Sequence, residues 1–187
     1  DTDDAVSACL DVSQRLETWT ADLVQTRTLP ALVQPLTATG RVCYARPGLF
    51  RWELGTPPET VAIRSTDELL LIYPQLNRAE RYPLEPDAAG PLAGALALIE
   101  AGFPRDEAAL RQRFTLEGGR TAEGDWRLHL QPRGGRSDDL VTGIELTFGT
   151  NNLSLRASEI TFRDGSRLRN DFSNARANAP LAPDTFS

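Results

Sequence analysis

The feature that most constrains this chain is a period of two that returns again and again. Trp19, Ala21 and Leu23 alternate with Thr20 and Asp22, and Phe50, Trp52 and Leu54 alternate with Arg51 and Glu53. Trp126, Leu128 and Leu130 alternate with Arg127, His129 and Gln131, and Ile144, Leu146 and Phe148 alternate with Glu145 and Thr147. Successive strand side chains point to opposite faces, so each run reads as a strand with one face on a core and the other on water. Turn formers separate the runs, at Arg46-Pro47-Gly48, Pro57-Pro58, Gly118-Gly119, Gly134-Gly135, Asn151-Asn152 and Asp164-Gly165.

The remaining strands are read in the same way. One covers 36–45, with Val42 and Tyr44 on one face and Arg41 and Cys43 on the other. Val61 and Ile63 belong to the next. Leu69–Tyr73 is apolar on both faces, and Asn77–Leu84 is its hairpin partner. Leu153, Leu155 and Ala157 keep one phase and Ile160 and Phe162 the other, which predicts a bulge. Leu168 and Phe172 mark the last strand. The total is about 10–11 strands. Short connections imply an antiparallel meander. So many strands cannot stay flat, and the fold expected is mainly β (α+β), a half-open antiparallel β-barrel with helices over its apolar face.

Two regions depart from the strand rhythm. Residues 3–18 place Val6, Cys9, Leu10, Val12 and Leu16 at helical spacing, with Asp1, Asp3 and Asp4 at the positive end. In the middle, Pro86-Asp87 opens a helical segment with Leu92, Leu96, Ile99 and Phe103 on one stripe, and Asp106–Phe114 forms a second short helix or turn. Gly90, Pro91 and Gly94 lower the intrinsic stability of the first. The chain of 187 residues fits a single domain, 1–187, with a central insertion at about 86–112.

Composition excludes several roles. With 40% hydrophobic residues the chain is globular, and its longest apolar stretch, near Leu92–Ile99, is too short to span a bilayer. Net charge is −6, every basic side chain is Arg, and the arginines are spread through the chain, so no nucleic-acid partner is expected. There is no Met, as in a processed, exported protein or a trimmed chain.

No catalytic constellation is found. The lone His129 lies on the polar face of a strand, and no Gly-x-Ser-x-Gly elbow accompanies it. One His and two distant Cys make no zinc site, no phosphate-cradling loop is present, and Asp138-Asp139 reads as a solvated hairpin start. The sequence therefore predicts no enzyme, no cofactor and no metal, but apolar surface suited to a binding cavity or a plain core. Cys9 and Cys43 leave two readings open. In an oxidising compartment they can pair, worth roughly 3–4 kcal/mol through loop closure. Otherwise they are two buried thiols acting as small hydrophobes.

The segment Gly40-Arg41-Val42-Cys43-Tyr44-Ala45-Arg46-Pro47-Gly48-Leu49-Phe50-Arg51-Trp52-Glu53 resembles the signature of the outer-membrane lipoprotein carriers, the LolA-like family. That family has an Arg-Pro-x-x-Phe-x-Trp element after a Gly-containing strand start. The order around it is similar too. A leading helix precedes Trp19, Ala21, Leu23 and Gln25; Pro57-Pro58-Glu59 precedes a strand and Asp67-Glu68; Leu71-Ile72-Tyr73-Pro74 resembles an aromatic-Pro strand end. Leu181-Ala182-Pro183-Asp184-Thr185-Phe186 resembles a closing element.

The resemblance covers nearly the whole chain. It implies a half-barrel with a helical lid that ferries lipoproteins, acyl chains hidden, through the periplasm of a Gram-negative bacterium after loss of a signal peptide. It implies an inner-membrane donor protein, an outer-membrane acceptor protein and a monomeric carrier. Arg46 matches the arginine that holds the lid shut. The cavity expected on this basis is lined by Trp19, Leu23, Phe50, Trp52, Val61 and Ile63, with Leu92, Leu96 and Ile99 as the lid's underside. The two cysteines, the Asp67-Glu68 turn and the Gly- and Pro-containing lid depart from the family pattern. They point to a divergent branch and leave a second reading open, a carrier of another lipid, an acylated glycolipid or a pigment precursor in place of lipoprotein. The same half-barrel is also similar to envelope lipid-sensing modules.

Overall fold

The computed structural model describes residues 1–82, 98–99, 101–133, 140–150 and 154–187. Helix α1 (Thr2–Arg15) leads into β1 (Thr18–Thr28), β2 (Leu36–Ala45), β3 (Leu49–Leu54), β4 (Thr60–Arg64), β5 (Leu69–Tyr73) and β6 (Arg78–Tyr82). Residues Leu98, Ile99, Ala101 and Gly102 are helical. Helix α2 (Glu107–Arg113) precedes β7 (Phe114–Arg120), β8 (Trp126–Pro132), β9 (Val141–Phe148), β10 (Leu155–Phe162) and β11 (Arg167–Ala177).

All eleven strands form one antiparallel sheet in the order β6-β5-β4-β3-β2-β1-β11-β10-β9-β8-β7. It is a meander in two arms, joined where the last strand pairs with the first, Leu23 opposite Phe172 and Gln25 opposite Asn170. The edges β6 and β7 do not pair with each other, so the sheet curls into a half-open barrel. A bulge is present in β10, but earlier than the phase change expected after Ala157: the strand shifts register against β9 between Leu155 and Ala157, which therefore do not share a phase. Of the insertion expected at about 86–112, residues 86–97 and 100 lie outside the described residues.

Helix α1 starts on its Asp1 cap, whose side chain accepts from the Asp3 backbone N–H at 3.1 Å, and carries Asp3 and Asp4 in the first turn. Ala5, Val6, Cys9 and Leu10 are buried, and the helix packs on β7 and β8. Gly118 allows this approach: a Cβ there would stand 2.8 Å from Ala5 Cβ and 3.1 Å from Thr2 Cα, and its N–H donates to Thr2 Oγ1 at 3.0 Å. Gly118-Gly119, expected as a turn, is therefore inside β7, and the turn falls at Thr121–Gly124, with Gly124 at φ +91°. Closeness to a helix, not chain reversal, explains the glycine.

Cys9 and Cys43 are both free thiols. The disulfide reading fails because Cys9 faces the core under α1, while Cys43 alternates with buried Val42 and Tyr44 and points to the opposite face of β2. The sheet lies between them, beyond the reach of an S–S bond.

Candidate functional site

The concave face of the barrel divides into a packed half and an open half. Trp19, Val42, Tyr44 and Phe50 are buried in the packed half, with α1, Leu98 and Ile99. Phe103 completes it, stacked on Tyr44 at 4.1 Å between ring centroids and 5.3 Å from Trp19. Phe172 meets Trp19 edge-on at 5.2 Å and Trp52 at 6.2 Å. Offset and edge-to-face rings of this kind add to the energy of area burial.

The open half is a cavity of about 850 Å³ at the other end of the strands. Trp52 marks the boundary and lines it. With it come Leu54, Ala62, Leu71 and Tyr73 from β3 to β5, Leu36 and Ala38 from β2, and Phe162 and Leu168 from the β10–β11 hairpin. The β1 row that begins with Trp19, Ala21 and Leu23 turns polar here, continuing as Gln25 and Arg27. Gln25 Nε2 donates to Asn170 Oδ1 at 3.0 Å, and Asn170 Nδ2 donates to Ser158 Oγ at 3.3 Å. These three residues stand opposite one another on β1, β11 and β10, so register alone builds a polar ladder across the barrel floor. Arg163, Asp164, Ser166 and Arg167 form the rim on one side. Leu36 and Leu140 carry the apolar wall outward to solvent, and Leu32 and Val33 in the β1–β2 loop are exposed as well.

The nine residues expected to line a cavity scatter. Trp52 lines it. Trp19, Leu23, Phe50 and Ile99 are packed into the core instead, because α1 and the segment ending at Phe103 fill that half of the barrel. Val61 and Ile63 lie on the opposite face: Ala62 pairs with Trp52, so its neighbours pair with Glu53 and Arg51 and point outward. Leu92 and Leu96 lie outside the described residues. The residues missed, Gln25, Arg27, Leu168 and Asn170, had a signal. Each continues an inward-facing row past the point where apolar residues give way to polar ones.

Arg46 reaches the end of α1. Its Nη2 donates to the Ser13 carbonyl at 2.9 Å and its Nε to the Leu16 carbonyl at 3.0 Å, while its backbone N–H donates to Glu17 O at 2.9 Å. A guanidinium among the orphan carbonyls of a helix C-terminus satisfies them and complements the dipole. Asn178 holds the same junction from the far end of the chain, accepting from the Glu17 N–H at 2.6 Å and donating to Arg15 O at 3.3 Å.

The titratable groups nearby do not form a catalytic set. Burial pushes the Cys9 thiol up to about 12. Burial raises Cys43 and Tyr44 as well, opposed at Cys43 by Arg41 and at Tyr44 by Arg46. His129 stands on the outer face, in register with Glu117 and Glu145. Among the described residues no group of His, Cys, Asp and Glu is placed to hold a metal, and no helix is long and apolar enough to cross a membrane.

Comparison with known proteins agrees with this geometry. The family model described as "Outer membrane lipoprotein carrier protein LolA" matches residues 14–187. A Chromobacterium violaceum protein named outer-membrane lipoprotein carrier protein is 31% identical over 155 residues, covering 80% of this chain and 67% of that one. A Cupriavidus necator protein of the same name is 28% identical over 151 residues, and the match spans 80% of this chain and 65% of the relative's length. An uncharacterised conserved protein from Thermus thermophilus has a similar fold, with a TM-score of 0.55 at 14% identity over 97% of this chain and 92% of that one. The half-barrel, the Arg46 element and the match over 14–187 together place the chain in the outer membrane lipoprotein carrier protein LolA family.

Proposed function

We propose that this protein is a periplasmic carrier that shelters acyl chains in the open half of its barrel, passing lipoprotein from an inner-membrane donor to an outer-membrane acceptor and acting by binding without catalysis. The observation that carries this reading is the cavity of about 850 Å³ walled by Trp52, Leu54, Ala62, Leu71 and Leu168. That volume falls in the usual range of small-molecule sites, about 300–1,000 Å³. Keeping ten methylenes from water is worth about 8 kcal/mol, a micromolar affinity before the costs of association are subtracted. A carrier must also release what it holds. On this reading α1 is the part that moves: its C-terminal turn is held by the Arg46 and Asn178 hydrogen bonds, and releasing it would extend the open half into the space the helix now fills, exchanging those few polar bonds for apolar burial of cargo. On this reading Arg46 is the latch. The carrier works as a monomer and needs no cofactor and no nucleic acid.

The test uses Trp52 as reporter. Adding a palmitoylated peptide should shift the tryptophan emission, and the shift should be lost in Trp52→Phe while Trp19 and Trp126 remain. A full-length chain that shows no saturable response, and that does not keep the peptide soluble, would end the carrier reading.

A further inference from the structure

Resting on the carrier reading above, we propose that the loop between β1 and β2 is a membrane-docking tip: Leu32 and Val33 enter the surface of a lipid bilayer and hold the cavity mouth against it. Val33 is 102% exposed and Leu32 44%, and Leu36, where β2 starts, is 53% exposed. Leu76, 70% exposed, lies at the same end of the sheet, in the turn between β5 and β6. The end is fixed by the meander. Leu29 and Leu36 flank the β1–β2 loop and Tyr73 precedes the β5–β6 turn, and all three line the cavity. Exposed apolar side chains gathered at one end of a fold, rather than scattered singly, mark a surface that meets something apolar.

Charge decides what that surface fits. Residues 28–40 hold no charged side chain, in a chain that is 25% charged, and neither does the β5–β6 turn, Pro74–Asn77. At the opposite end of the sheet the β4–β5 and β7–β8 connections carry Asp67, Glu68, Glu123 and Asp125. A bilayer interior penalises any charge and its anionic surface repels carboxylates, so the cavity end suits a membrane and the far end does not. Arg27, at the foot of the loop, is exposed and has the sign that an anionic lipid surface attracts. The loop is also held in shape. The Leu32 N–H donates to the Leu29 carbonyl at 3.0 Å, and Pro30 leans on the β10–β11 turn, where a Cβ at Gly165 would stand 3.7 Å from Pro30 Cγ. Little order is therefore lost on docking. Leu29 and Leu36 line the cavity together with Leu54 and Trp52, so apolar surface runs from the tip to the interior. An acyl chain that follows this surface leaves the bilayer without crossing open water.

Vesicles of phosphatidylcholine and phosphatidylglycerol test the docking. In Val33→Trp, phosphatidylcholine brominated on its acyl chains should quench the added indole beyond any quenching of the natural protein. In Val24→Trp, at an exposed site in the middle of β1, it should not. The Leu32→Ser/Val33→Ser double variant should bind vesicles about tenfold more weakly, the effect of withholding roughly one aliphatic side chain from an apolar phase. Uptake of a palmitoylated peptide from vesicles should slow several-fold in that variant. Uptake of the same peptide from solution, read by Trp52 emission, and the denaturation midpoint should stay unchanged, since both side chains are exposed. Equal quenching at positions 24 and 33, quenching at neither, or vesicle binding that survives the serine pair would overturn the proposal. So would a loop that joins two copies of the chain, seen as a dimer that the serine pair returns to monomer, or one that matters only when the vesicles hold a membrane protein. Solution uptake decides the carrier reading separately. Its absence from the natural protein would end that reading, and its presence keeps it even where the tip fails.

Discussion

The Arg46 guanidinium donates to the Ser13 carbonyl at 2.9 Å, fastening the turn between β2 and β3 to the last turn of α1. Nothing in the sequence around Arg46 indicates Ser13, which lies 33 residues earlier. Arg46→Leu should free two helix carbonyls and cost about 1–2 kcal/mol in chemical denaturation. Hydrogen exchange should rise at 13–16 before the sheet opens, and a bound acyl peptide should exchange faster. Unchanged protection at the end of α1, together with unchanged uptake and release, would remove Arg46 from the mechanism.

Gly40 permits the close passage of β2 over β3. A Cβ at this position would drive into the Glu53 carbonyl oxygen and stand 3.2 Å from Leu54 Cα, both backbone atoms with nowhere to go. Gly40→Ala should destabilise by about 1–3 kcal/mol through overpacking. Gly119→Ala, where nothing lies within 4 Å, should leave the denaturation midpoint unchanged or slightly raised. Equal midpoints for the two variants would refute the packing account.

The buried thiol of Cys9 gives an alkaline signature. Burial raises it from the 9.0 of an exposed thiol to about 12. Above pH 9 the unfolded chain loses this proton while the folded one keeps it, so stability is full below pH 9 and falls as pH rises toward 12. The limiting slope is about 1.4 kcal/mol per pH unit. Cys9→Ala should flatten the curve of stability against pH by that one proton, measured as the difference from the natural protein. At pH 8 a thiol reagent should modify Cys43 before Cys9, and mild oxidation should not join the two within one folded chain.

The Gln25–Asn170–Ser158 ladder can be dissected by a mutant cycle. Asn170→Ala leaves the buried Ser158 hydroxyl without its partner and should cost about 1–3 kcal/mol. Adding Ser158→Ala should cost less than it does alone, because the orphan it would have left is gone. Strict additivity in urea titrations would mean that the hydrogen bond contributes nothing to the fold.

Much of the half-barrel was legible in the alternation. The first strand, the 36–45 strand and the existence of a bulge in β10, though not its place after Leu155, were readable there, because side-chain periodicity is a local property. Gly118 and Val61 show where local reading stops. Gly118 resembles a turn former in sequence, and only the approach of Ala5 from 113 positions away makes it a strand residue. Val61 belongs to a strand that is buried on both faces, Val61, Ala62 and Ile63 alike, so hydrophobicity carries no phase there. Pairing with β3 sets the phase and turns Val61 away from the cavity.

By itself, then, the sequence determined the antiparallel meander, the leading helix and the Arg46 turn, since each is written in neighbouring residues. The tertiary structure decided which part of the concave face is filled. Trp19 and Phe50 are as apolar as Trp52, but Phe103 and α1 pack onto their half of the barrel. The other half remains open, ringed by Gln25, Asn170 and Arg27, whose shared site comes only from the register of β1 with β11. Filling is a matter of three-dimensional volume, and no one-dimensional pattern encodes it.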